Sequence, residues 1–283
     1  MSISLTAVQQ IEFDALVKAE YRSSGFLLRD SIRLRREVVG KSIDFRKVGQ
    51  VIATNTAYMQ SVTVQDPNYS KVNAILEKYT AATGVDYVQD MTVNFDTKME
   101  NASLVADALG RRSDQICINA IAGATFTAAN TIAVNVSGGN TNFDYDKYTR
   151  MMEFFENNAV PLGDRFVAMS ASNLRKLMNE DQFTSRFYTE NRVIDKGFVR
   201  DYLGFNVIII PEMTEGGLPK AGNIRDAFAW HRKAMGMGIG ANFRTEINYL
   251  PRETTWLING IFSAGAVAID TRGILKVECD ESV

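Results

Sequence analysis

The feature that most constrains the fold is a long segment of alternating apolar and polar residues, 42–65, with the sequence SIDFRKVGQVIATNTAYMQSVTVQ. Successive side chains of a strand point to opposite faces, so this pattern predicts extended β structure. Between Asn55 and Ser61 the pattern becomes polar and loose around Tyr58 and Met59, which favours a long hairpin arm over a strand inside a regular sheet. Because the edges of unpaired β arms recruit other chains, we expect the protein to use this arm on a neighbour.

Composition and charge limit the classes of function. The chain has 283 residues, of which 46% are hydrophobic, enough for one large domain or two ordinary domains with a proper core. Its 31 basic and 33 acidic residues give a net charge of -2, which argues against a DNA-coating role. The start, MSISLTAVQQ, lacks the features of a signal peptide, and no stretch approaches the roughly 18 apolar residues of a membrane span. We therefore expect a globular protein made in the cytosol, with no membrane partner.

The clearest predicted element is a long helix over residues 96–124. Its apolar residues recur at steps close to the helical repeat, Thr97 and Glu100 form a candidate capping box, and Gly123 can close the far end. At about 1.5 Å per residue, such a helix would be roughly 38 Å long. It is expected to act as the spine of the fold.

Shorter helices are predicted to begin after the N-cap residues Asp144 and Ser170. The run from Phe205 to Pro211 predicts a buried strand, whereas residues 69–95 fit a strand or a short helix followed by extended chain. The end of the chain predicts strands near residues 244–249, 253–262, 265–270 and 273–279. Helices in the middle and antiparallel strands at the end predict an α+β fold with two lobes.

No catalytic, cofactor or metal site is predicted. The single histidine, His231, is expected to be a structural or surface residue, and Cys117 and Cys279 lie far apart without a metal-ligand spacing. The glycines of AMGMGIGANF, residues 234–243, lack the order of a dinucleotide-binding loop. Carboxylates are plentiful but scattered, and nothing selects a pair for chemistry. A small enzyme that uses carboxylates stays open as an alternative from a different class.

The order of these parts resembles the major capsid protein of tailed bacteriophages, the Hong Kong 97 type of fold, and is most similar to capsid proteins of short-tailed phages. GKSIDFRKVGQVIAT resembles the strand that leads into the family's extended loop, and VADALGRRSDQICINAI resembles its spine helix. RFVAMSASNLRKLMNEDQFTS resembles the strand and helix of the family's axial domain, and VRDYLGFNVIIIPEM resembles the central strand of that domain. WLINGIFSAGAVAIDTRGILKVE resembles the closing strands of the peripheral domain. The resemblance follows nearly the whole chain in order.

The resemblance implies four parts of the chain. These are an N-terminal arm over residues 1–37, an extended loop over 38–75, a peripheral domain made of 76–143 and 243–283, and an axial domain over 144–242. It also implies a structural protein, without catalysis or cofactor, that assembles into hexamers and pentamers of an icosahedral phage head around double-stranded DNA.

In such a shell the extended loop would lie across the adjacent subunit. The basic segment YRSSGFLLRDSIRLRREVVGK, residues 21–41, would pair with acidic faces of other subunits, since the planar arginine fork suits such contacts. The candidate intersubunit contacts are Arg29, Arg33, Arg35, Arg36, Arg46, Lys47, Tyr58 and Met59. The implied partners are further copies of the chain, scaffolding, portal and decoration proteins, and packaged DNA that is contacted without sequence specificity, all within the virion.

One departure from the family pattern concerns covalent cross-links. Some members join a loop lysine to an asparagine of a neighbour, but residues 48–70 contain no lysine, so we do not expect such links. An alternative with the same architecture is an encapsulin-like nanocompartment shell that encloses an enzyme instead of a genome. Binding of a cargo peptide to the inner wall would distinguish it.

Overall fold

The structure is a computed structural model that describes residues 25–92, 96–180 and 201–283. Residues 1–24 of the predicted N-terminal arm lie outside the described residues. The helices are α1 (Tyr87–Thr92), α2 (Thr97–Ala122), α3 (Tyr145–Asn157) and α4 (Ala171–Met178). The strands are β1 (Arg33–Arg35), β2 (Ser42–Val48), β3 (Tyr69–Ile75), β4 (Glu77–Asp86), β5 (Thr131–Ile132), β6 (Arg165–Met169), β7 (Asp201–Tyr202), β8 (Phe205–Ile209), β9 (Lys220–Ala221), β10 (Ile224–His231), β11 (Met235–Ile239), β12 (Arg244–Leu250), β13 (Thr255–Ala268) and β14 (Ile274–Asp280).

The predicted spine helix is present as α2, which has 26 residues. Its N-cap is Asp96, whose carboxylate accepts hydrogen bonds from the backbone N–H groups of Lys98 and Met99. The predicted capping box is therefore wrong: Thr97 is the first helical residue, and its hydroxyl donates to Asp90 of α1. At the far end the N–H of Gly123 donates to the carbonyl of Asn119. No described helix is long and apolar enough to span a membrane.

Helix α2 packs on a five-stranded sheet built around β13. Strand β13 pairs antiparallel with β4 along one edge and with β12 and then β11 along the other, and β1 adds to β11 in parallel. The sequence predicted two strands near 253–262 and 265–270, but the chain continues as one. Gly265 serves a close approach instead of a turn, because a Cβ atom there would lie 1.9 Å from the carbonyl oxygen of Ile75.

A second sheet has seven strands in the order β5-β14-β10-β6-β8-β7, with β9 beside β10. The predicted N-caps are confirmed: Asp144 accepts from the N–H of Lys147 at the start of α3, and Ser170 accepts from that of Asn173 in α4. The apolar faces of both helices join the core of this sheet. The last strand, β14, was assigned to the peripheral domain, but it pairs with β10 of the predicted axial domain, residues 144–242. The division into peripheral and axial domains stays a prediction.

Strand β10 connects the two cores of the protein. Phe228 and Trp230 belong to the core that includes α2, whereas Ala227 and Ala229 face the core that includes α3. Alternate side chains of a strand point to opposite faces, so a strand buried on both faces becomes continuously apolar. The sequence left segment 69–95 open. Its described part, residues 69–92, forms β3, β4 and then α1, whereas extended chain was predicted where α1 lies.

Candidate assembly surfaces

The hairpin arm predicted from residues 42–65 is a β-hairpin at its base. Strands β2 and β3 pair antiparallel from Ser42↔Ile75 to Val48↔Tyr69, and the N–H of Gly49 donates to the carbonyl of Asn68 at 2.8 Å beyond them. On one face Asp44 accepts from Asn73 at 2.7 Å and from Lys71 at 2.9 Å. These two hydrogen bonds, the first being the stronger influence, lower the pKa of Asp44. The base is thus held by backbone and side chains together.

The other face of the hairpin base docks on strand β11. Phe45 is buried, and Cβ atoms added at Gly236 and Gly238 would lie 2.7 Å from the Phe45 ring and 2.8 Å from Cγ2 of Ile43. The glycines of AMGMGIGANF therefore make room for the hairpin, a role that the sequence pattern alone did not indicate. Because these glycines carry no Cβ atom, they leave a track along β11 that the side chains of Ile43 and Phe45 occupy.

Lys47 extends this docking by an ion pair within the chain. Its Nζ lies 2.8 Å from Oδ1 of Asp270. Burial works to raise the pKa of Asp270, but hydrogen bonds from Arg272 and Lys47 outweigh it and leave that pKa below its ordinary value. Among contacts between described residues, Lys47 is thus the one predicted contact residue that binds a carboxylate of its own chain.

Residues 49–68 leave the hairpin as an exposed loop. Strand pairing does not continue into it within the described chain, so the predicted extended β structure holds for the base only. Ile52 N–H donates to Oε1 of Gln65 at 2.9 Å, and Gln60 N–H donates to the carbonyl of Ala57 at 3.2 Å to form the tip. The exposed large apolar side chains of the loop are Val51, Ile52, Tyr58, Met59, Val62 and Val64, with exposed fractions from 59% to 106%.

The basic segment is attached through its backbone. The N–H groups of Leu27 and Leu28 each donate to the buried carboxylate of Asp114 in α2 at 3.1 Å, and Trp230 Nε1 donates to the carbonyl of Ser31 at 3.0 Å. Burial raises the pKa of Asp114, although the two N–H groups act to lower it. Further along, β1 pairs with β11. Backbone groups are therefore directed inward along this segment.

Its arginine side chains are directed differently. Arg33, Arg35 and Arg36 are exposed, and the guanidinium of Arg33 lies 6.0 Å from the centre of the Phe45 ring. Arg29 is half-buried against Phe26. Arg46 is exposed on the hairpin, and Tyr58 and Met59 lie at the loop tip. The predicted contact residues thus occupy two places, the edge beside β1 and the hairpin with its loop.

The histidine and the two cysteines, which could take part in catalysis or metal binding, have structural roles in the packing of the protein. Nδ1 of His231 accepts from the N–H of Lys233 at 3.2 Å, and burial together with the Lys233 charge lowers its pKa. Both cysteines are buried, and burial raises the pKa of Cys117 strongly and that of Cys279 to about 12. Across 25–92, 96–180 and 201–283, no three His, Cys, Asp or Glu side chains are grouped to hold a metal ion.

The architecture is that of a capsid-shell fold. It combines a spine helix on a long-stranded sheet, a second sheet with its own core, and a docked hairpin that carries an exposed loop. The family model described as phage capsid protein matches residues 3–281. The chain belongs to this family and is a major capsid protein that forms the phage head shell. This identity gives the protein a structural role.

Solved capsids confirm the fold. The acid-stable capsid structure of Helicobacter pylori bacteriophage KHP30 matches with a TM-score of 0.78 at 8% identity, over 99% of this chain and 98% of that one. The capsid structure of cyanophage P-SCSP1u matches with a TM-score of 0.75 at 14% identity, over 98% and 94%. The capsid of Ralstonia phage GP4 matches at 0.72 and 11%, over 99% and 98%. No curated protein sequence matches the chain.

Proposed function

We propose that copies of this chain form hexamers and pentamers of a closed icosahedral shell around double-stranded DNA, and that the loop of each copy lies across the adjacent copy. The observation that carries this proposal is the loop at residues 49–68. Six large apolar side chains of this loop are exposed, although the hairpin base below it is docked on β11. Apolar surface that a chain holds away from itself marks an interaction site.

The length of the loop supports contact with a neighbour. From Gly49 to the tip at Tyr58 and Met59 each limb has about ten residues, which span roughly 33 Å when extended. Such a reach is comparable with the width of a small domain. The predicted division of the chain is compatible with this arrangement. It consists of the N-terminal arm at 1–37, the extended loop at 38–75, which includes the exposed loop 49–68, a peripheral domain at 76–143 and 243–283, and an axial domain at 144–242.

The basic edge beside β1 is proposed as a second contact. Arg33, Arg35 and Arg36 expose their guanidinium groups there, and Arg29 and Arg46 lie on the adjoining turn and hairpin. Guanidinium groups can bind carboxylates of another copy through paired hydrogen bonds. Lys47 contributes less directly, because its ammonium already binds Asp270.

The remaining partners follow from charge and chemistry. A net charge of -2 suits an inner wall that tolerates DNA without binding it by sequence. The absence of lysine from residues 48–70 supports a shell held by noncovalent contacts. We further propose that the protein is made in the host cytoplasm and assembles there with scaffolding and portal proteins, and that decoration proteins bind the finished shell.

Size-exclusion chromatography with electron microscopy tests the proposal on the purified protein, expressed alone and then with a scaffolding protein. Megadalton particles with hexameric capsomers are the expected result. A monodisperse monomer or dimer under both conditions would contradict it. Nucleic acid inside particles recovered from infected cells is expected, whereas a protein cargo bound through a short peptide would favour the nanocompartment alternative.

A further inference from the structure

Strand β4 leaves one of its edges unpaired. It bonds to β13 over its full length of 10 residues, from Glu77↔Ala264 to Asp86↔Thr255, and no other strand among the described residues pairs with it. Natural edge strands of this length are usually protected by lysine, proline, a bulge or a covering loop. The middle of β4, residues 80–84 with the sequence TAATG, has no charge and no proline.

The side chains along this edge are small. Thr80, Ala82 and Gly84 are exposed, while Tyr79 and Ala81 pack toward the core beneath α2. A further strand could therefore approach the backbone of β4 without meeting a bulky or charged group. The unpaired N–H and C=O groups of such an edge are a template for an added strand.

The same chain contains a segment suited to that edge. Residues 61–65 of the loop, SVTVQ, alternate β-branched and polar side chains, and Val62 and Val64 are 76% and 90% exposed. β-branched residues favour strands, and alternation would place the two valines on one face of an added strand. No backbone group of 61–65 is paired in a strand within the described chain.

Within one chain, the segment and the edge are held apart. Strand β3, with 7 residues, separates the loop from β4 and spans roughly 23 Å, and its pairing with β2 holds the loop away from the body. Bringing residues 61–65 onto β4 of the same chain would require that hairpin to open. A second copy needs no such change, and family membership establishes that copies associate into a shell.

We propose that residues 61–65 of one copy add as a strand to the free edge of β4 in a second copy. This inference rests on the proposed shell and names the surface that receives the loop. Main-chain hydrogen bonds supply the attraction, and the small side chains of residues 80–84 permit the approach. The contact joins two different surfaces, so it can propagate around a ring of copies.

Hydrogen–deuterium exchange on assembled shells and on dissociated subunits tests the pairing. Amides at alternate positions of residues 78–85 are expected to exchange at least about tenfold more slowly in shells, since alternate N–H groups of β4 point away from β13. Shells in which these amides exchange as in free subunits would overturn the inference and leave the proposed function standing. Failure of the wild-type protein to form any particle would overturn both.

Engineered cysteines test the identity of the occupant. Thr63→Cys is combined with Thr80→Cys or with Ala82→Cys, and a ladder of linked subunits on a nonreducing gel is expected from at least one pair after assembly. A disulfide requires Cα atoms within about 7 Å, and the two native cysteines are buried. Thr56→Cys with Ala82→Cys is the matched control on the other limb of the loop, and it should give no ladder.

A proline variant tests whether residues 61–65, and not another segment, pair with the free edge of β4. Thr63→Pro removes a backbone donor in an exposed loop, so the subunit should fold, whereas protection of β4 should be lost; Thr56→Pro should keep it. Slow exchange of β4 in shells of Thr63→Pro would show that another segment covers this edge, and no ladder from either test pair would overturn the assignment of residues 61–65 to it.

Discussion

At the scale of single residues, Glu281 fixes the end of the last strand to the second sheet. Its carboxylate accepts hydrogen bonds from Arg225 at 2.7 Å, Lys220 at 2.8 Å and Ser170 at 2.8 Å. The guanidinium of Arg225 is itself buried and depends on Glu281 and Glu212 for its charge partners. Removing one member of such a network leaves a buried charge less well compensated.

The substitution Glu281→Gln is expected to lower the free energy of unfolding by about 1–3 kcal/mol at neutral pH. Burial alone would raise the pKa of Glu281, but hydrogen bonds from Lys220, Ser170 and Arg225 outweigh it and hold that pKa below its ordinary value. A pKa that is lower in the folded state gives stabilisation above the unfolded pKa, and this stabilisation is lost as the pH falls through the folded pKa. The difference between wild type and variant should therefore shrink in acid.

Urea unfolding of unassembled subunits at neutral pH, and again below the ordinary pKa of a glutamate, measures this difference. Glu253→Gln, in the exposed turn before β13, is the control and should change stability little at either pH. A Glu281→Gln deficit that stays constant across this pH range would contradict the role assigned to the carboxylate.

At the scale of elements, local chemistry was predictable and distant contacts were not. Asp144 and Ser170 were found as N-caps because a cap bonds the next few residues of its own helix. The glycines of β11 and the continuity of β13 depend on partners far along the chain, Phe45 for Gly236 and Ile75 for Gly265, which no local pattern contains. A single sequence therefore predicted the order of parts better than their contacts.

The same distinction applies to the candidate contact residues. The loss of alternation around Tyr58 and Met59 favoured a hairpin arm with a loose region there, and both side chains are fully exposed in the structure. Engagement of Lys47 by Asp270 could not be inferred, because the carboxylate comes from a distant turn. The free edge of β4 was missed for a similar reason, since a strand's edge position depends on the whole sheet.

Filling the track under the hairpin should change the direction in which the loop leaves the body. Gly238→Val would place side-chain atoms where Ile43 lies, and such overpacking costs about 1–3 kcal/mol. We expect subunits that fold but assemble into malformed particles, as seen by electron microscopy. Gly139→Val, in open space with no atom within 4 Å, is the control and should assemble normally. Regular shells from Gly238→Val would mean that the docking angle does not matter.

The attachment of the basic segment to α2 can be tested separately. Asp114→Ala removes the acceptor for the N–H groups of Leu27 and Leu28, so trypsin should cleave the subunit faster between residues 29 and 36. Peptide mapping by mass spectrometry measures the rate at those arginines. Gln115→Ala, which frees the N–H of Gly216 from the same helix, is the matched control and should leave that rate unchanged. Equal rates in both variants would assign the attachment to β1 and to the hydrogen bond between Trp230 and Ser31.

At the scale of the whole molecule, the loop is separable from the fold. Deleting residues 50–65 removes no residue of either main core, so the subunit should stay soluble with nearly unchanged thermal stability. It should fail to close shells, because the surface proposed to cross the neighbour is gone. Light scattering and electron microscopy measure this. Shells of ordinary size and stability from the deletion would show that other contacts suffice.

The contact between Trp230 and Ser31 also sets an order of events during synthesis. These residues are 199 positions apart, and β1 likewise pairs with β11 near the same place. At about 5–20 residues per second, a ribosome needs roughly 10–40 s to make the chain between them. Asp114 is made earlier, but the basic segment lacks Trp230 and β11 until most of the protein has been translated. The basic edge of each new subunit therefore forms late in synthesis. Contacts with neighbours through this edge are delayed until the rest of the subunit has been made.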